Sequence, residues 1–269
     1  MQIPFTKAHG ARNDFLFTWA NEAPGDGLAE LARAICDRHA GAGADGWYLV
    51  TRLSEEQTHA DAAVRLFNSD GSEAELSGNG TRCAAAFLID SGMSKSELRI
   101  RTGAGVKRLK LVSRQGLRFL FETGMGMPVV KEGDLRYQLP LKGGAHEVTI
   151  VDVGNPQCAM FVDHLEFDWP ALGAEIESHP HFPKRTNVSF VRVVDRHTLE
   201  VRFYERGAGV TMSSGTGSTG AAAAALSRGL VESPISVLTQ GGTLQLRQDG
   251  ELYMTGPAEI VARGVFLAA

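Results

Sequence analysis

A stretch of twenty residues occurs twice in this chain, and the distance between the copies limits the folds it can adopt. Phe67 to Ala86, FNSDGSEAELSGNGTRCAAA, aligns without a gap on Tyr204 to Ala223, YERGAGVTMSSGTGSTGAAA, 137 residues further on. Ser77 falls on Ser214, Gly78 on Gly215, Asn79 on Thr216 and Gly80 on Gly217, and alanines follow in both. A period this long lies outside the 20 to 50 residues of solenoid arrays and indicates two similar domains. Each copy is a glycine-rich turn opening onto a segment of high helix propensity. The first turn of such a helix has amides without helical partners and a partly positive end, so it suits an anion. Ser213, Ser214 and Thr216 can cap the helix or touch the ligand. If the two domains face each other, both helix ends point into one cleft and offer Ser77 and Ser214 to a small carboxylate from opposite sides.

Composition agrees and removes several classes of function. A chain of 269 residues, 43% hydrophobic and 22% charged, is long enough for two domains with real cores. Net charge is −4 and Lys and Arg are scattered, so no nucleic-acid partner is expected. No apolar run approaches the length of a membrane span, and MQIPFTKAHGARNDF is polar where a signal peptide needs an apolar core. Cys36, Cys83 and Cys158 are odd in number and widely spaced, which is no disulfide framework. The expectation is a cytoplasmic protein without a membrane partner.

Other motifs are weaker. Residues 215 to 220, GTGSTG, match the dinucleotide fingerprint GxGxxG, but no apolar strand directly precedes them and no strand ending in Asp or Glu lies about 20 residues on. A nicotinamide or flavin cofactor is not expected. His179 and His181 lack a third ligand at clear spacing, so no metal is expected, and loop packing accounts for them. Neither serine sits in the Gly-x-Ser-x-Gly elbow of hydrolases.

Periodicity places short strands at Met1 to Phe5 and Phe15 to Phe17 around a polar loop, then a helix from Leu28 to Arg38. Strands are read at 64–67, 98–102, 106–112 and 117–122, with a helix from the first glycine loop to about Ser91. The second half reads as strand 146–153, helix 167–179 with Asp168 as N-cap, loop 179–187, strands 188–194 and 199–204, the alanine helix, and strands 235–238, 243–246, 252–255 and 258–265. Strands outnumber helices, and each half holds one prominent helix with a sheet wrapped near it, so the class is α+β. The expected division is 1–122, completed by a C-terminal strand at 258–269, and 123–257, with the cleft between them.

HGARNDF, FNSDGSEAELSGNGTRC, GNPQC, FPKRTN and YERGAGVTMSSGTGSTGAA together resemble the signature segments of the diaminopimelate epimerase family, in order and over nearly the whole chain. The resemblance implies two pseudo-symmetric α+β domains, each a barrel-like, mostly antiparallel sheet around a central helix, and a cofactor-independent isomerase that interconverts LL- and meso-2,6-diaminopimelate, an amino-acid precursor of lysine and peptidoglycan. One residue of each domain would remove or deliver the α-proton, here Ser77 and Ser214. It further implies that Asn68, Asn155, Asn187, Glu205 and Arg206 hold the distal ammonium and carboxylate, an assignment consistent with an Arg fork for a carboxylate and acceptor oxygens for an ammonium. Gly78, Asn79, Gly215 and Thr216 would offer backbone donors to the carboxylate at the reacting carbon, with Asn13 lining the same pocket. A homodimer, common in that family, is the expected assembly.

The departures gather on the proton-transfer groups. The resembled family has cysteine at both positions that are Ser77 and Ser214 here, usually histidine at Gln157 and glutamate at Val210, glutamine at Gly46 and glycine at Arg12. A hydroxyl is a far weaker acid than a thiol and needs a base beside it, and the sequence shows none near either serine. Three readings follow: an epimerase with a Ser/Ser relay, an isomerase or dehydratase acting on a different amino acid, and a non-catalytic binder of diaminopimelate-like ligands.

Overall fold

The computed structural model describes residues 1–54 and 59–268. The chain divides into two compact units, Met1–Thr123 with Gly256–Ala269, and Gly124–Thr255. In the first, β1 (Gln2–Gly10) and β2 (Asn13–Trp19) form a hairpin, and α1 (Leu28–Cys36) crosses to β3 (Gly46–Arg52), parallel to β2. Strand β4 (Ala62–Asn68) runs antiparallel to β3, and the short β5 (Glu73–Ala74) folds back on it. Helix α2 (Gly78–Asp90) then crosses to β6 (Glu97–Thr102), parallel to β4, and β7 (Gly105–Gln115) and β8 (Arg118–Gly126) complete an antiparallel meander. The last strand of the chain pairs with β1 from Gln2↔Leu267 to His9↔Glu259 and lies beside β8, which closes the sheet into a ring.

The second unit repeats this order. After β9 (Tyr137–Leu141), β10 (Gly144–Asp152) and β11 (Pro156–Phe161) form the hairpin, and α3 (Trp169–Glu177) crosses to β12 (Asn187–Asp195), parallel to β11. Next come β13 (Thr198–Glu205), β14 (Gly209–Thr211), α4 (Gly215–Ser227), β15 (Ile235–Thr239), β16 (Gly242–Asp249) and β17 (Glu251–Leu267). The repeat extends to strand register. Leu66↔Ala74 and Phe67↔Glu73 in the first unit become Phe203↔Thr211 and Tyr204↔Val210 in the second, and Ala62↔Ile100 becomes Leu199↔Val237.

In each unit one helix lies inside the sheet and one outside. Helix α4 buries every residue from Gly217 to Ala225, and α2 every residue from Asn79 to Ile89. Where the strands approach closest there is room only for small side chains, which is the physical meaning of the alanine runs, while the space around α2 widens to admit Arg82 and, in its last turns, Phe87, Leu88 and Ile89. The glycines mark the closest approaches. A Cβ at Gly217 would lie 2.7 Å from the Phe203 ring, one at Gly220 2.8 Å from Gln157 Cγ, and one at Gly80 would run into the Tyr48 hydroxyl. The outer helices bury a single stripe: Ala32, Ile35 and Cys36 on α1, and Gly173, Ile176 and Glu177 on α3. Asp168 caps α3 by accepting from the Ala171 amide at 3.2 Å, with Pro170 in the first turn.

Several elements differ from the sequence-based reading. Residues 252–255 and 258–265, separated there by Gly256-Pro257, belong to the one seventeen-residue strand β17. Pairing to β16 ends at Thr255 and pairing to β1 begins at Glu259, so the missing amide of Pro257 falls between two ladders. Strands β3, β9 and β11 were not anticipated. The first is an almost continuous buried run between two neighbours, which carries no two-residue alternation to read. Arg12, where the resembled family has glycine, stands at φ 65 in the β1–β2 turn, a conformation that favours glycine. No helix among the described residues is long and apolar enough to cross a membrane.

The enclosure of α2 makes a checkable demand. Gly80→Ala should lower stability by about 1–3 kcal/mol through overpacking against Tyr48, and Tyr48→Phe in the same chain should recover part of the loss by removing the obstructing hydroxyl. Thermal unfolding of the three variants measures this, and a Gly80→Ala protein as stable as wild type would contradict the packing described.

Candidate active site

Both repeated serines are helix N-caps. The hydroxyl oxygen of Ser77 accepts from the Gly80 amide at 3.2 Å, and that of Ser214 from the Gly217 amide at 3.1 Å. Each cap satisfies the third amide of its helix and leaves the first two, those of Gly78 and Asn79 in α2 and of Gly215 and Thr216 in α4, without a helical partner. These amides, with the dipole behind them, form an anion-favouring end in each unit.

The surroundings of the two serines differ. Glu205 ends β13, and its pairing with Gly209 brings the returning chain back over it. Its carboxylate accepts from Thr211 Oγ1 at 2.6 Å and from Ser214 Oγ at 2.8 Å. A carboxylate that the sequence did not place beside Ser214 is therefore present, supplied across a hairpin. Burial pushes the Glu205 carboxyl above its ordinary pKa, and the two hydroxyl donors pull the other way without cancelling the shift. In the first unit the position equivalent to Glu205 is Asn68, whose Nδ2 donates to Ser72 Oγ at 3.0 Å. Among the described residues no carboxylate accepts a hydrogen bond from Ser77.

The remaining candidates fall into two groups, one in each unit. In the first, Asn79 Nδ2 donates to Asn13 Oδ1 at 3.4 Å and Asn13 Nδ2 to Asp45 Oδ2 at 2.6 Å, so Asn13 and Asn79 share one network while Asn68 is held by its own turn. Arg38 and Lys7 neutralise the acids of this network through Asp14 and Asp45, and they hold Asp14 below its ordinary pKa against the opposing effect of burial. In the second unit, Asn187 Nδ2 donates to the Pro156 carbonyl at 3.1 Å, and Asn187 Oδ1 accepts from the Arg206 amide at 3.0 Å. Asn155 accepts from Gln157 Nε2 at 2.8 Å, and Gln157 Oε1 is buried without a partner. A depression of about 760 Å³ in this unit is lined by Asn155, Pro156, Lys184, Arg185 and Arg206, among others.

Sequence reasoning passed over two features of these groups. Thr211 braces Glu205, and Arg82, a charged residue within the alanine run, is completely enclosed. A cation at a position whose neighbours are all small and apolar is the signal that could have singled it out. His179 and His181 behave as read: the first meets the Pro140 carbonyl at 2.8 Å and the second stacks on Tyr137.

A family model described as diaminopimelate epimerase matches residues 5–130 and 149–261. A diaminopimelate epimerase of Acetivibrio thermocellus is 37% identical over 275 residues, covering 97% of each chain. Another, from Cupriavidus pinatubonensis, is 39% identical over 283 residues, covering 98% of this chain and 97% of its own. Among solved structures, a phenazine biosynthesis protein of the PhzF family from Bacillus anthracis superposes with a TM-score of 0.71 at 16% identity, covering 100% of both chains. A hydroxyproline epimerase from Agrobacterium vitis gives a TM-score of 0.71 at 18% identity, covering 98% of this chain and 92% of its own. These structures establish the fold, a barrel-like α+β architecture.

The raised pKa of Glu205 has a thermodynamic consequence. Folding takes up a proton on this group at pH values between its unfolded pKa, about 4.3, and its higher folded pKa. Its contribution to stability is thus full below the unfolded value and is lost as pH rises through the folded one. Glu205→Gln lacks this dependence, so its stability relative to wild type should improve steadily as pH is raised from the acid range to neutrality. Denaturant unfolding across that range tests this; curves that stay parallel would contradict a carboxyl with a raised pKa.

Proposed function

Because the chain belongs to the diaminopimelate epimerase family, we propose that it is a cofactor-independent isomerase acting at the α-carbon of a diaminopimelate-type amino acid, with a Ser/Ser proton relay. The observation that carries the relay is the hydrogen bond from Ser214 to the buried carboxylate of Glu205. A lone serine hydroxyl is too weak a base to take an α-proton, but one whose own proton passes to Glu205 as the α-proton arrives never becomes a free alkoxide. Ser77 then delivers its proton to the opposite face as a solvent proton replaces it, and Glu205 returns the proton it took to solvent before the next turnover. The amides of Gly78, Asn79, Gly215 and Thr216 support the α-carboxylate, where negative charge gathers as the proton leaves. Asn155, Asn187 and Arg206 suit the distal end, with Arg206 and Lys184 among the cations of that depression that pair with no carboxylate of the described residues and Asn155 among its acceptors. Three buried free cysteines are compatible with a cytoplasmic setting.

The unequal surroundings of the serines support a second reading. A site with one effective base suits a proton shift on a different amino acid, in which a proton is removed and not returned to the same carbon. The two are separated by proton NMR in heavy water with LL- and meso-diaminopimelate. The epimerase reading expects deuterium at the α-carbon together with inversion. It also expects one stereoisomer to exchange faster than it inverts, because Glu205 serves only Ser214. Glu205→Gln should slow that exchange by about 10²–10⁴-fold, the range of general-base catalysis, while Ser77→Ala should spare exchange and abolish inversion. Exchange without inversion in the unaltered chain would favour the second reading, and no exchange on either diaminopimelate would remove the first.

The distal assignment is tested separately. Arg206→Ala should weaken diaminopimelate binding by about 1.5–3 kcal/mol, the range for a hydrogen bond to a charged group. Calorimetry with unchanged affinity would move the distal carboxylate elsewhere.

A further inference from the structure

Arg82 lies in the middle of α2 with 1% of its surface exposed. Its Nε donates to the Pro257 carbonyl at 3.2 Å, its Nη2 donates to Asn79 Oδ1, and its Nη1 is buried without a hydrogen-bond partner. No ion pair to a carboxylate accompanies it among the described residues. Burial lowers its pKa to about 10, which leaves it charged at neutral pH. The equivalent residue of α4 is Thr219, whose hydroxyl donates to the Gly215 carbonyl at 2.8 Å. The two helices share a backbone, and α2 adds an uncancelled cation one turn behind its free amides.

This cation also fixes the direction of the neighbouring amides. A guanidinium has only donors, so the oxygen of Asn79 must face Arg82 and its NH₂ must face away. That NH₂ meets Asn13 Oδ1, which turns the NH₂ of Asn13 toward Asp45 Oδ2 at 2.6 Å. A carboxylate has only acceptors, so the far end of the chain dictates the same orientation. Arg38 holds Asp45 from the other side at 2.8 Å, and the Asp14 amide donates to it at 3.1 Å. Donor-only and acceptor-only ends leave both asparagines one arrangement.

We propose that Arg82 is a positioning residue for the reaction: it locks Asn79 at the start of α2, and its uncompensated charge makes that helix end prefer a carboxylate to a neutral group of the same shape. The inference rests on the reading that the substrate's α-carboxylate is held by the Gly78 and Asn79 amides. In a low-dielectric interior a fixed charge at this range outweighs its effect in water, and lacking a counter-ion it is not spent on the protein itself.

The test compares meso-diaminopimelate with its diamide, which keeps the shape and loses the negative charges. In calorimetry, Arg82→Gln should reduce the preference for the acid over the diamide at least tenfold and leave the diamide's affinity unchanged, whereas Arg82→Lys should retain most of the preference. Arg82→Met keeps much of the length of the side chain without its charge or donors and should show the same loss of preference, so it carries the test if Arg82→Gln does not fold. An unchanged preference, or an equal fall for both ligands, overturns the inference. Should the unaltered protein bind neither ligand, the substrate reading fails, and the side-chain amide signals of Asn79 in nitrogen-15 NMR, compared between wild type and Arg82→Gln or Arg82→Met, decide this one. Signals that move in Arg82→Gln support the positioning role, and unmoved signals overturn it.

Discussion

Each unit depends on a helix enclosed by its own sheet. Strands on several sides of α4 leave only Gly, Ala, Ser and Thr at its buried positions, and α2 shares this constraint at Gly80, Thr81 and Ala84 to Ala86. Polar chemistry is left to the N-terminus, where amides lack helical partners and a capping residue is required anyway. Ser77 and Ser214 are therefore structural before they are anything else. Each occupies a position where a hydroxyl contributes about 1 kcal/mol to helix stability, and the reactive groups of the site are built out of that requirement.

One backbone used twice gives two chemically different ends. Where the second unit has Glu205 against its capping serine, the first has Asn68 tied into its own turn. Where α2 carries the buried cation Arg82, α4 has Thr219. Where β12 opens with Asn187, bonded to Pro156 and Arg206, β3 opens with Gly46, at which a Cβ would lie 2.8 Å from the Phe67 carbonyl. The repeat thus fixes where amides and caps stand, and the side chains around it decide which end holds a carboxylate and which holds a positive charge.

The parts of this arrangement legible in the sequence are those written in short-range pattern. The spacing of Ser77 and Ser214, the glycines before each alanine run and the strand-loop-helix order can all be read without knowing which strands meet. The Ser214–Glu205 contact could not be read, because it depends on a hairpin whose two strands are separated by Arg206 to Ala208. Arg82 was passed over because helical pattern assigns a lone charge to the solvated side, and a helix enclosed all round has no such side. Continuous strand β17 was divided at Pro257 because a proline inside a strand normally ends pairing, and only the change of partner between Thr255 and Glu259 makes it harmless.

The hydrogen-bond capacity of the two hydroxyls carries the asymmetry one step further. A serine hydroxyl has one proton to donate and two lone pairs to accept with. Ser214 gives its proton to Glu205 and one lone pair to the Gly217 amide, so its remaining capacity is a single lone pair. Ser77 spends one lone pair on the Gly80 amide, and no carboxylate among the described residues claims its proton. The cap is therefore the same in both units, and Glu205 alone makes the hydrogen bonding of the two hydroxyls unequal: a backbone repeat fixes where each hydroxyl stands, and one side chain from a neighbouring hairpin decides what it is bonded to.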